Sequence, residues 1–233
     1  MNSSRLRIFP WVTLFAGIIG LALRCWLFSG VDRNGLLPQN HIAEMLCFIL
    51  LAVILGVCLP AMKHINSATA GNSNFAVAGS IVGAAAMVFS GCIPTEKALF
   101  PLLLCAFSVV IGIALLFDAC GHIKGKPANP WIHYICMSFM VLRIMFSCRG
   151  WSGETQVQRF VFELLAALFF LLALYYRAQI FIGGTGRKQY LLFTQAALYC
   201  FCLCLANTDF LFSLGAAVWL TAETLRVPDP QGE

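Results

Sequence analysis

Residues 42–60 read IAEMLCFILLAVILGVCLP, nineteen positions with a single charge, Glu44. A helix needs about 20 mostly apolar residues to cross a bilayer, so this run is long enough to be one crossing. Comparable runs recur at about 8–28, 75–92, 99–117, 131–147, 157–177, 189–205 and 209–225. The rest of the composition agrees. Of 233 residues, 60% are hydrophobic and 11% charged, which leaves 25 charged side chains for every loop and tail. That balance excludes a soluble globular enzyme, a disordered chain and a large extramembrane domain. The fold expected is all-α: a polytopic transmembrane bundle of eight helices. Only Ala206, Asn207 and Thr208 part the last two runs, so seven is the alternative count, although Asn-Thr-Asp is turn chemistry and the joined stretch exceeds one crossing.

Lysine and arginine placement orients the bundle. With the N-terminus cytoplasmic, inner segments carry Arg5, Arg7, Lys63, Lys124, Lys126, Arg177, Arg187, Lys188 and Arg226, nine against the outer four, Arg33, Lys97, Arg149 and Arg159. Both termini are then cytoplasmic, and the net charge of +5 is a topology signal rather than a sign of nucleic acid. The first run follows arginines as a signal peptide does, but Arg24 and Trp26 stand where a small-residue cleavage site belongs, so it reads as a retained helix.

Most of the eleven cysteines fall inside apolar runs, where a thiol behaves as a small hydrophobe. Cys200, Cys202 and Cys204 alternate, yet only the first and last share a helix face, and no spacing matches a metal site or calls for a cofactor. Cys92 and Cys148 both fall at outer helix ends and are the candidate disulfide.

Four charges lie clearly within runs: Arg24, Glu44, Arg143 and Glu163. They form two Arg-then-Glu pairs, and a shift of 119 residues maps one pair onto the other along with its apolar flanks. The pattern predicts a parallel 4+4 repeat, with residues 1–118 and 119–226 as the halves and 227–233 as a short tail. Topology places Arg24 opposite Glu44 and Arg143 opposite Glu163 in the outer half of the membrane. An unpaired charge there costs at least ~2.5 kcal/mol, so the residues are hairpin staples, parts of one ligand-binding cluster, or side chains that snorkel to the interface. The outer loops add Asp32, Arg33, His41 and Trp151 as candidate ligand contacts. His133 reads as an interfacial residue rather than a proton relay, Gln195 as a bond to a neighbouring helix, and Gly79 with Gly83 as a close-packing motif.

The string LRCWLFSGVDRNGLLPQNH (23–41), with CRGWSGETQVQ (148–158) and LLALYYRAQ (171–179), resembles a family of polytopic membrane proteins of anaerobic Gram-positive bacteria. The resemblance implies a bacterial plasma membrane; it carries no activity and no residue roles. Walker A, HExxH, GxSxG and dinucleotide fingerprints are all absent, so no catalytic residue is assigned and an enzyme is disfavoured. Two classes remain. A small-solute transporter or membrane-embedded solute-binding subunit, taking an anionic solute at the arginines, explains the repeat and the intramembrane charges. A non-catalytic accessory, sensor or immunity-type protein, working beside other membrane subunits, explains the short loops. In either case the lipid bilayer is a partner.

Overall fold

The chain breaks into helices wherever an apolar run meets turn chemistry, because in hydrocarbon the backbone must satisfy its own hydrogen bonds. A computed structural model describes residues 9–30, 41–62, 74–93, 99–123, 129–151, 160–183, 186–206 and 209–225. Among the described residues there are eight α-helices and no strand: α1 Phe9–Ser29, α2 His41–Met62, α3 Asn74–Cys92, α4 Leu99–Ile123, α5 Pro130–Trp151, α6 Val161–Phe181, α7 Arg187–Cys204 and α8 Phe210–Leu225. Two boundaries show their cause. At the start of α5 the Trp131 amide donates to Asn129 Oδ1 at 3.1 Å and Pro130 takes the first helical position, where its missing N–H goes unneeded. At the end of α6 Gly183 adopts φ +87°, the left-handed turn that glycine enters without strain.

Among the described residues six helices are long and apolar enough to cross a membrane: α1 to α6, over Phe9–Ser29, Ile42–Leu59, Phe75–Cys92, Pro101–Gly121, Pro130–Arg149 and Val161–Phe181. The last two runs form separate helices, which gives eight rather than seven.

Neighbouring helices close a ring in the order α3, α4, α5, α6, α7, α8 and back to α3. The α1–α2 hairpin packs on α7 from outside this ring. Thr13 of α1 donates to Gln195 Oε1 of α7 at 2.5 Å, the interhelical bond expected of Gln195, and Tyr199 of α7 donates to the Cys47 carbonyl of α2 at 2.8 Å.

The α3–α8 seam is tight. A Cβ placed on Gly83 would stand 2.6 Å from the Trp219 amide nitrogen, so the GxxxG motif serves internal packing. Polarity is distributed inside-out. Phe15, Phe75, Phe89 and Phe117 are exposed, whereas Arg24, Asp118, His133, Arg143, Arg177 and Glu223 are buried. An apolar exterior around charged side chains is what a hydrocarbon surround requires. Trp11, Trp26 and Trp131 are exposed near helix ends, as interfacial anchors are; Trp219 is fully buried.

Candidate functional site

The ring holds two charged layers, one near each end. Arg143, on α5, occupies the first. Its Nη1 donates to Ser108 Oγ at 2.5 Å and to the Leu104 carbonyl at 3.2 Å, both on α4. Its Nη2 pairs with the Asp209 carboxylate at the start of α8, and its guanidinium lies 4.0 Å from the centre of the Phe212 ring. The partner expected for Arg143 was Glu163; the ion pair formed is with Asp209. The physical reason is reach, since the α7–α8 turn brings a carboxylate directly over the guanidinium.

Glu163 instead lines a cleft shared with Arg143. The cleft encloses about 350 Å³, its open mouth included. Arg143, Glu163, Asp209, Ser147 and Ser213 supply its polar wall, and Met140, Ile144, Phe201 and Phe212 part of its apolar wall. Arg143 is buried, while the Asp209 side chain is 41% exposed and faces the mouth.

Arg24 is buried at the junction of the hairpin with the ring. Its guanidinium carbon lies 5.1 Å from the ring centres of both Phe28 and Phe162. Glu163 and Glu44 both act on it electrostatically, from the same side of the bundle. Phe48 stacks on Phe162 at 4.8 Å, holding the starts of α2 and α6 together. Through Phe162, the neighbour of Glu163, Arg24 stands beside the cleft that Arg143 shares with Glu163.

The second layer went unread in the sequence. Arg177 Nη2 donates to Asp118 Oδ2 at 2.6 Å, its Nη1 pairs with Glu223, and Nη1 also lies 3.4 Å from the Tyr190 hydroxyl. His133 Nε2 stands 3.9 Å from the same Asp118 oxygen. Ser80 Oγ lies 3.1 Å from Glu223 Oε1. Each of the six ring helices contributes one of these residues. His133 is fully buried, which corrects its reading as an interfacial residue. Arg177 is buried within the bundle rather than in a loop, so the charge asymmetry of the loops is eight to four. The signal was present, because Asp118, Arg177 and Glu223 all end even-numbered runs and therefore share one side.

Aromatic rings fill the space between the layers. Arg177 sits 5.0 Å from the Trp219 ring centre, Trp219 meets Phe170 edge-on at 5.7 Å, Phe170 meets Phe201 at 5.7 Å, and Phe201 meets Phe212 at 6.2 Å, which Arg143 covers.

The other candidates stand apart. Cys92 and Cys148 are both free thiols and exposed. Asp32 and Arg33 lie outside the described residues, as do the side chains of His41 and Trp151. Among the described residues no group of three His, Cys, Asp or Glu is placed to hold a metal ion. Compared with protein-family models, curated proteins and solved structures, the chain matches none.

Proposed function

We propose that this membrane-spanning bundle binds a small solute carrying an ammonium group in the cleft between α5, α6 and α8, as a transporter or a membrane-embedded solute-binding subunit of a bacterial plasma membrane. One observation carries the reading: two carboxylates, Glu163 and Asp209, line the cleft wall, and the Arg143 guanidinium beside them is bonded within the protein, so the wall offers a solute acceptor oxygens rather than a free cation. Such a wall favours a cation over the anion that the arginines alone suggested. Its mixed apolar and polar lining is of the kind that small-molecule sites have. The charge asymmetry turns the cleft outward.

The repeat belongs to the same reading. The bounds of α2, shifted by 119 residues, land within one residue of those of α6. The two copies then serve different ends, with α1 and α2 outside the ring and α5 and α6 within it. The accessory or sensor reading has its own support in the internal bonding of Arg143, which a purely structural clamp would share.

Thermal unfolding of the protein in lipid nanodiscs separates these readings. Ethanolamine and tetramethylammonium should raise the midpoint in the wild type and lose that effect in Glu163→Gln and Asp209→Asn. A rise with acetate or inorganic phosphate instead would reverse the sign of the solute. No rise with either class leaves the accessory reading.

A further inference from the structure

Where α3 ends beside the start of α4, the seam brings two of the eleven cysteines together, and the solute reading makes no use of them. We propose that Cys92 and Cys105 are a redox-active dithiol, which closes to a disulfide within the chain by exchange with an external disulfide.

The register of the seam carries the pairing. A Cβ on Gly112 of α4 would stand 2.8 Å from the Val88 amide nitrogen and 2.9 Å from the Ala84 carbonyl oxygen of α3. One on Gly91 of α3 would stand 2.5 Å from Val109 Cγ2 and would collide with the Cys105 carbonyl oxygen. Ala84, Val88 and Gly91 therefore meet Gly112, Val109 and Cys105 in opposite order, as the facing sides of an antiparallel pair. Cys92 follows Gly91 and lies one turn beyond Val88, so the same register sets it beside Cys105. Cys92 also acts on Cys105 electrostatically. A disulfide needs Cα atoms within about 7 Å, and helices whose backbones touch through glycine come that near. The ring order explains why Cys148 is not the partner: α4 stands between α3 and α5.

Exposure assigns the two roles. Cys92 is exposed and Cys105 half-buried, so Cys92 meets the external disulfide first. Its thiolate attacks one sulfur, which gives a mixed disulfide and releases one thiolate. The Cys105 thiolate then attacks the Cys92 sulfur and releases the second. The protons given up by the two cysteines go to the departing thiolates, and the two electrons reduce the external disulfide to two thiols.

The pair stands at the cleft end of the ring. Asp209 and Arg143 both act on Cys105 electrostatically, and the neighbouring Leu104 carbonyl is one of the acceptors that hold Arg143. Charge asymmetry turns that end outward, to the side on which disulfides form and persist. Closing the bond ties the end of α3 to the stretch of α4 that anchors Arg143.

The test uses the full chain in lipid nanodiscs, with oxidised glutathione as the probe. Lys97 lies between the two cysteines, so after alkylation, denaturation and trypsin cleavage their peptides stay joined only through the new bond. The expected result is that joined pair from monomeric wild-type protein and from Cys148→Ser, with the pair lost in Cys92→Ser and in Cys105→Ser. Cys105→Ser should instead retain glutathione on Cys92, the first step stalled. The decisive measurement is on the unaltered protein and needs no variant to fold. Both thiols alkylated in the wild type, glutathione left there on Cys92, a Cys92–Cys148 bond or a disulfide-linked dimer would each overturn the proposal.

Discussion

At Arg177 a single guanidinium bonds carboxylates from two other helices, with both partners no more than 5% exposed. Removing the cation leaves Asp118 and Glu223 facing each other in a buried layer. Arg177→Met should therefore destabilise the protein by about 3–5 kcal/mol, the usual cost of breaking a buried pair from one side. The triple change R177M/D118N/E223Q should recover most of that loss, since neutral partners leave no buried charge behind. Unfolding in detergent micelles measures both, and an R177M protein as stable as the wild type would mean that these pairs contribute nothing to the fold. Arg143→Met should cost less, because Asp209 reaches water at the cleft mouth. Mid-run charges such as Arg24 and Arg143 were legible in the sequence, since a charge inside an apolar run must either be paired within the bundle or snorkel to the interface. Asp118, Asp209, Arg177 and Glu223 were not, because a charge at the end of an apolar run is equally what a loop requires. Linear sequence does not say which way such a residue turns.

Among the elements, α3 and α8 approach so closely that glycine is needed where their backbones meet. A Cβ on Gly83 would press on the Trp219 amide, and one on Gly215 would press on the Gly83 carbonyl, so at both positions backbone rather than a flexible side-chain end is in the way. Gly83→Ala should cost about 1–3 kcal/mol through overpacking. Gly56 is the internal control: a Cβ there meets nothing within 4 Å, so Gly56→Ala should leave the unfolding midpoint unchanged or raise it. Equal losses at the two positions would remove the packing argument. The eight helices followed from the apolar runs because length and hydropathy alone decide a crossing. Their places in the bundle did not follow. Helix α7 is among the most deeply buried of the eight from Tyr190 onward, yet it falls outside the six that are apolar enough to span, because Arg187, Lys188 and Gln189 are exposed at its start and Thr194 and Gln195 are buried within it. A helix wrapped by other helices is spared contact with lipid and tolerates buried polar side chains such as these last two, so hydropathy alone does not mark its place.

Over the whole molecule, the polar contacts fix the direction of the helices, and this makes the topology testable. The Arg177 layer takes residues near the C-terminal ends of α4, α6 and α8 and near the N-terminal ends of α3, α5 and α7. Consecutive ring helices therefore run in opposite directions. The Thr13–Gln195 bond joins the N-terminal halves of α1 and α7, so the hairpin keeps the same alternation. Such alternation is what eight crossings demand, and it includes α7 and α8, whose own hydropathy and length leave the point open. The side each end faces is a separate matter, governed by charge: eight Lys and Arg remain at the Arg177 end against four at the cleft end once Arg177 is moved inside. The expected topology thus places the Arg177 layer at the cytoplasmic face and the cleft outside. Reporter fusions at Lys126 and at Glu233 should both be active only as cytoplasmic reporters, and a fusion at Gln156 only as an external one. A cytoplasmic signal at Gln156 with external signals at the other two would keep the fold and invert the cleft, which would then draw its solute from the cell interior. Matching signals at Lys126 and Gln156 would mean that α5 does not cross, and the six-helix ring could not then span the bilayer as described.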